Sequence, residues 1–559
     1  MTWMSELPPF LPFYLGAALL PLLPVLWCRV VLVGVPLLGG LNLWFGVPAG
    51  TEVSVALLAF DLTVLRADKL SLLFGYLFHL AALLGVIFAL HVRDRLQQAA
   101  ALAYAGSALG AVFAGDLLTL LMFWEMLALT SVFLIWARRS PLATRAGLRY
   151  LIIQVAAGML LLAGALVHFQ QTGSLAFTAI GLEGLAGWLI FLAFGIKCAF
   201  PFLHTWLTDA YPEATVTGTV FLSAFTTKVA VYALARGFPG TELLIYIGLA
   251  MACFPIFYAV IENDLRRVLA YSLINQLGFM VVGIGIGTEL ALNGTVAHAF
   301  SHVIYKGLLF MSMGAVMYRV GHTLGSDLGG LYKSMPKTAV LCIIGAASIS
   351  AFPLFSGFIS KSMVMSAMLY EGYDYLWLLL LFASAGVFHH AGIKVPYFAF
   401  FAHDSGIRTQ EAPTNMLLAM ALAAGLCIFI GSQPQYLYSL LPWDVDYWPY
   451  DTTHVLAQTQ LLFFSALAFV WLNKQGLYPP ELRSVNLDVD WLYRRLLPRG
   501  AQVLAGGLGR GSALLTRQSR QLAARLPRRY TYASAWSTSH MTQRLAIVLA
   551  VFVLVSLIL

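Results

Sequence analysis

The 559 residues are 60% hydrophobic and only 10% charged, against roughly 25% charged in a soluble domain. This excludes an ordinary water-soluble fold and points to an all-α polytopic membrane protein. The net charge of +8 is spread over short loops and one C-terminal stretch, so it does not describe a nucleic-acid surface. Cys28, Cys198, Cys253, Cys342 and Cys427 are scattered through apolar runs without C-x-x-C spacing. They read as small core residues, not as disulfides, metal ligands or cluster ligands. No glycine-rich nucleotide motif is present, so ATP bound by this chain is not expected as the energy source. No cofactor is expected. The first apolar run follows Met1–Pro9 without a basic n-region, and no cleavable signal is read there.

Apolar stretches of about twenty residues, enough to cross a bilayer, begin near 9–27 and 30–47. They continue at 69–90, 98–114, 117–136, 150–169, 186–204 (broken at Pro201), 216–235, 242–261 and 268–287. Next come 290–318, 337–368 (interrupted at Pro353), 376–401, 415–431, 454–473 and 544–559. The total is about sixteen, of which about fourteen form the core. Residues 1–97 hold helices 1–3, 98–236 a first five-helix repeat, and 242–402 a second. Helices 14 and 15 occupy 403–484, a basic amphipathic lateral segment 485–543, and a last helix 544–559. Arg494, Arg495, Arg499, Arg510, Arg517, Arg520, Arg525, Arg528 and Arg529 alternate with leucines in the lateral segment, which suits anionic lipid at the membrane surface.

Alternate loops are basic: Arg29, Arg93 with Arg95, Arg138 to Arg149, Arg266 with Arg267, then Arg319, Lys333 and Lys337, Arg408, and Lys474. The opposite loops carry Glu183, Glu289, Glu371, Asp374 and the acidic 443–451 stretch. The asymmetry puts the N-terminus on the outer, periplasmic side of a bacterial inner membrane. The seventh and twelfth spans each stand fourth in a five-helix unit, and each joins a proline break to a lysine: Lys197 with Pro201, Lys361 with Pro353. Because five is odd, successive units face opposite ways, an inverted repeat with broken helices of the kind found in transporters.

Ionisable groups inside apolar runs cost about 2.5–3.5 kcal/mol to insert and mark ion or proton pathways. Glu125 lies within the fifth span, and its natural partner is Lys197: as the carboxylate approaches, the ammonium is held, and as it withdraws, desolvation releases a proton. Lys228, in the eighth span beside Thr226, Thr227 and Ser223, is too deep to snorkel. His298, His302 and Lys306 recur at i, i+4 and i+8 of the eleventh span, one helix face about 12 Å long. Imidazole exchanges protons near neutral pH, so a relay outweighs a merely structural stripe. A metal at His298 and His302 would lack a third ligand, and none is expected. Lys361 follows the Pro353–Gly357 interruption, which would admit water. Glu262, Asp264, Arg266 and Arg267 read as a solvated ion-pair cluster at a loop edge, either structural or a point of proton entry, and His389 and His390 as minor candidates.

Lys197 through Pro201 to Ala214, the Asp264–Tyr271 segment, the His298–Lys306 stripe and Ser356-Gly357-Phe358 with Lys361 together resemble the antiporter-like subunits of respiratory complex I and of Mrp-type cation/proton antiporters. The resemblance covers roughly residues 60–430. It implies two inverted five-helix units joined by a central hydrophilic axis. Glu125 and Lys197 would be the coupling pair, Lys228 the connector, and the two histidines the path to Lys361. The region beyond residue 450 is similar to the long variant whose lateral arm clasps neighbouring membrane subunits. Asn275-Gln276 depart from the pattern, since relatives often carry serine or histidine there.

The expected function is a proton-translocating, or Na+/H+ or K+/H+ antiporting, subunit of a multisubunit membrane complex resembling an NADH-quinone oxidoreductase. A runner-up is a proton-conducting partner that energises uptake, for instance of inorganic carbon, by a neighbouring protein. A quinone or haem enzyme and a passive scaffold are other classes. The absence of ligand pairs speaks against haem or iron–sulfur attachment.

Overall fold

The computed structural model describes residues 6–57, 60–444, 446–484, 486–500 and 502–503. Eleven helices among them are long and apolar enough to cross a membrane, with Leu11–Leu22, Gly184–Lys197 and Pro336–Ile349 as shorter apolar helices. Every expected span up to residue 474 coincides with helix, whole or broken. The final span at 544–559, and the lateral segment past residue 503, lie outside the described residues. The chain divides at Asn486 into two units. In the second, the described part holds a π-helical turn at Leu492–Leu496.

In the first unit α1 (Leu11–Leu19) and α2 (Val25–Gly46) precede a two-stranded antiparallel hairpin, β1 (Glu52–Leu57) and β2 (Phe60–Arg66). The hairpin falls in a stretch read from sequence only as a connection. Its alternation of Val53, Val55 and Leu57 with polar or small residues carries the period-two signal. Then come α3 (Lys69–Ala89), α4 (Arg95–Phe113), α5 (Leu117–Trp136) and α6 (Pro141–Thr172). Aspartates at the N-caps set the starts of several: Asp68 accepts from Ser71 N, and Asp116 from Thr119 N, satisfying amides the helix cannot.

The seventh span is two pieces, α7 (Gly184–Lys197) and α8 (Thr205–Ala210), and the twelfth likewise, α14 (Pro336–Ile349) and α15 (Ser356–Tyr370). The two breaks are copies. Ala199-Phe200-Pro201-Phe202 and Ala351-Phe352-Pro353-Leu354 both put the alanine and the residue after proline at positive φ (62° and 68°, 60° and 74°). The hydrogen bonds repeat too: Phe200 N donates to Gly195 O and Phe352 N to Ala347 O, while Ala199 N donates to Ile196 O and Ala351 N to Ser348 O. Left-handed non-glycine residues cost about 1 kcal/mol or more each, so their recurrence at equal positions is a property of the architecture.

The eighth span is also divided, which the sequence pattern does not announce. α9 (Gly218–Ala224) and α10 (Thr226–Gly237) meet at Phe225, where Thr226 N donates to Tyr104 Oη at 3.0 Å and leaves the helix ladder. α11 (Leu243–Ile261), α12 (Leu265–Ile286) and α13 (Glu289–Val320) follow, and α12 and α13 are almost wholly buried. The thirteenth span runs from α16 (Asp374–Val387) into π-helical turns at Phe388–Lys394 and Tyr397–Phe401. α17 (Thr414–Ser432) packs on α3 and α13. α18 (Thr452–Lys474) stands at the edge of the unit with most of its surface exposed.

Candidate functional site

The interior of the first unit holds a line of basic side chains. Lys197, Lys228, His298, His302 and Lys306 are fully buried, and Lys361 is 1% exposed. Lys197, Lys228, Lys361 and Lys394 share one device: the Nζ donates to a main-chain carbonyl, and for the last three that carbonyl lies at or beside a helix end. Lys228 Nζ reaches Ser223 O at 2.8 Å, next to the break at Phe225, and Thr227 Oγ1 at 3.2 Å. Lys361 Nζ reaches Ile349 O at 3.3 Å, the last residue of α14, and Ser384 Oγ at 3.5 Å. Lys394 Nζ reaches Val260 O and Glu262 O at 2.6 and 2.7 Å, at the end of α11. Terminal carbonyls have no helical donor and carry the negative end of the helix dipole, so they favour a cation beside them.

Lys197 Nζ donates to Trp124 O and stands 4.5 Å over the Trp124 ring. Glu125, the next residue, is half-buried and within Coulombic range of Lys197. The ammonium is thus engaged by the tryptophan, and the expected pair is present as neighbours rather than as an ion pair. Gly158 on α6 makes room for the carboxylate, because a Cβ there would overlap Glu125 Oε1. Cys198, following Lys197, lies within Coulombic range of Lys228, and Lys228 within range of His298, His302 and Lys306.

The α13 stripe is organised as its spacing predicts. The His298 and His302 rings are 6.3 Å apart, and Tyr305 stands edge-on to His302 at 5.3 Å. His298 Nδ1 is 3.0 Å from Ser360 Oγ, adjacent to Lys361. Tyr305 Oη donates to Gln276 Oε1 at 2.9 Å, and Gln276 Nε2 to Asn275 Oδ1 at 2.7 Å. The departure at Asn275-Gln276 is therefore part of the same network. Both nitrogens of His302, Lys306 Nζ and Ser301 Oγ are buried with no hydrogen-bond partner among the described residues. Buried polar atoms of this kind require water.

Two readings need correction. The Glu262–Arg267 group is not a solvated cluster: Glu262 is 5% and Arg266 1% exposed. The Arg266 guanidinium ties the loop after α8 by donating to Pro212 O, Ala214 O and Thr215 O at 3.0, 3.1 and 3.2 Å. A guanidinium's five donors can satisfy several carbonyls that a loop edge leaves unpaired. The candidate residues taken from sequence also omit Lys394, whose Nζ lies 2.9 Å from Glu481 Oε1, both buried. Its signal was available, since Gly392-Ile393-Lys394-Val395-Pro396 repeats the lysine-before-proline pattern of Lys197. Glu481, after Pro479-Pro480, gave none. His390 is buried within Coulombic range of Lys306 and Lys394, while His389 packs on Phe469 and Tyr478.

The family profile described as NADH:quinone oxidoreductase/Mrp antiporter, TM matches residues 114–388. A Na(+)/H(+) antiporter subunit of Alkalihalophilus pseudofirmus is 30% identical over 360 residues, 59% of this chain and 72% of the relative. The chain belongs to this family. Hydrogenase-4 component B of Escherichia coli is 28% identical over 434 residues, 67% of this chain, which spans 63% of that relative's length. Among solved structures, one chain of the Mrp complex from Dietzia sp. DQ12-45-1b superposes with a TM-score of 0.77 at 24% identity. That match covers 97% of this chain and 65% of the other. The protein is an antiporter-like, polytopic membrane subunit of the Mrp and complex I type, and these relatives work inside multisubunit membrane complexes.

Proposed function

We propose that the chain translocates protons, within a larger membrane complex, along the buried line from Glu125 and Lys197 through Lys228, His302 and His298 to Lys361, with Lys306 as a branch of the stripe. One observation carries the reading: buried cations rest on free main-chain carbonyls, beside histidine, lysine and serine atoms that only water can satisfy. A neutral amine keeps its N–H donors, so a lysine can stay on its carbonyl in either protonation state while a proton leaves through water. Neighbouring ammoniums repel in a poorly screened interior, so a proton reaching Lys228 favours departure of the next. Glu125, swinging between its Gly158 recess and Lys197, gates the first transfer.

The same reading takes 98–236 and 242–402 as inverted halves, the N-terminus as outward-facing in a bacterial inner membrane, and the basic 485–543 segment as lying on anionic lipid. Exchange of Na+ or K+ would enter through partner subunits. Lys197→Ala should abolish proton-coupled transport by the intact complex in vesicles while leaving assembly unchanged. Normal transport by that variant refutes the proposal.

A further inference from the structure

Lys361 ends the buried line but does not reach an aqueous surface. Beside it opens a cavity of about 520 Å³ between α15 and α18, lined by Lys361, Ser362, Ser366, Thr453, His454 and Gln458 among apolar side chains. At about 30 Å³ per molecule it has room for more than ten waters, and these polar groups can anchor a few of them. Ser366 lies five residues beyond Lys361 on α15, about 7.5 Å along the axis. Its Oγ is 2.9 Å from His454 Nε2 and 3.3 Å from Tyr447 Oη. The other imidazole nitrogen, Nδ1, contacts Asp451 Oδ2. The His454 side chain is 30% exposed and Asp451 47%. Asp451 is fixed in turn as the N-cap of α18, accepting from His454 N at 2.7 Å. One nitrogen therefore faces the cavity and the other a surface carboxylate.

We propose that His454 is the terminal proton relay between Lys361 and the surface that carries the acidic 443–451 stretch, so that α18 completes the pathway instead of merely bordering it. This rests on the proton-translocation reading above. The Lys361 ammonium gives its proton to cavity water, which passes it to His454 Nε2. The imidazolium then loses the Nδ1 proton by way of Asp451 to bulk water, and the neutral ring reverts to its starting tautomer. Lys361, now an amine, is recharged from the His298–Ser360 side. One proton enters and one leaves, with no other reactant.

The test is proton transport by proteoliposomes of the intact complex carrying wild-type chain, Lys197→Ala, His454→Ala or His454→Gln. Lys197→Ala reports on the central reading alone: its inactivity leaves that reading standing whatever His454 does. With that control satisfied, His454→Ala and His454→Gln should each transport about tenfold or more slowly, as expected for loss of a positioned acid–base group. Imidazole added on the acidic-loop side should restore the alanine variant. Glutamine keeps a hydrogen-bonding side chain at the position, so its loss would not be one of packing. Unchanged transport by either variant, or a loss in His454→Ala that imidazole does not restore in a fully assembled complex, overturns the proposal. The latter result would make the cavity a dry or lipid-filled contact.

Discussion

Replacing Gly158 with alanine should impair proton coupling through Glu125 while leaving the helices packed. Gly158 is buried on α6, and the added methyl would overlap Glu125 Oε1. Glu125 is only half-buried and its carboxylate is the end of a flexible side chain, so the clash is relieved by swinging that group rather than by parting α5 from α6. The stability change should therefore stay at or below the low end, about 1 kcal/mol, of the range for overpacked sites. The effect on coupling is larger. With the recess filled, the carboxylate is confined to the Lys197 side; holding it at about 4 rather than about 6 Å strengthens the attraction by about 1.4 kcal/mol at an effective dielectric near 20, about tenfold in the pairing equilibrium, and traps the proton on the lysine. Proton uptake by proteoliposomes of the complex should be compared for Gly158→Ala, Glu125→Gln and the double variant. If the methyl acts by displacing the carboxylate, it adds nothing once the carboxylate is gone, and the cycle is strongly non-additive. Additive losses, or wild-type transport by Gly158→Ala, would refute the reasoning.

Tyr104→Phe removes the hydroxyl that bonds Thr226 N and Thr226 Oγ1 at the eighth-span break. The variant should lose about 1–3 kcal/mol through the unsatisfied amide, read as a lower thermal midpoint in detergent; an unchanged midpoint argues that water replaces the tyrosine. Lys394→Ala strands Glu481 in a site where both are almost fully buried and should destabilise the protein by about 3–5 kcal/mol. Lys394→Met with Glu481→Leu should recover most of that, and equal losses would count against a paired site. Outside the spans, Arg483 holds the Asp327 carboxyl below its ordinary value of 3.8. A depressed carboxylate contributes fully above its unfolded pKa and loses that contribution as pH falls. Amide exchange at residues 477–484, corrected for intrinsic rate, should therefore quicken below about pH 4 in the wild type and show no such step in Arg483→Gln.

Much of the fold was legible because hydrophobic length is a strong signal in a membrane chain. The two proline breaks were legible because Pro201 and Pro353 punctuate apolar runs beside lysines. The break at Phe225 was not, because it is set by the Tyr104 hydroxyl, reaching from a helix 122 residues earlier, and no local residue announces it. The His298–His302–Lys306 stripe followed from spacing alone. The position of Lys197 on a tryptophan carbonyl did not, since charge pairing is visible in sequence and carbonyl orientation is not. The buried Arg266 misled for a related reason: four charged residues in six look solvated unless the carbonyls that receive them are known.

The buried lysines suggest why this architecture needs broken helices. A carboxylate partner would stabilise an ammonium strongly in a dry interior, but it would also make departure of the proton leave a buried, unpaired anion. A carbonyl at a helix end offers a weaker, fixed partial charge that remains tolerable when the amine is neutral. Lys228 and Lys361 rest on such carbonyls beside the breaks at Phe225 and at Ser350–Phe355, whereas Lys197 has an acidic neighbour, Glu125, and Lys394, outside the proposed line, is paired with Glu481. In the proposed relay the carbonyl-held lysines exchange protons at low cost, and control falls to Lys197, where the Glu125 carboxylate would come and go. Moving a carboxylate next to Lys228, for example Ser223→Asp, should therefore trap the proton there and slow transport even though it adds an acid–base group to the line. Faster or equal transport by that variant in the reconstituted complex would show that the carbonyls are incidental.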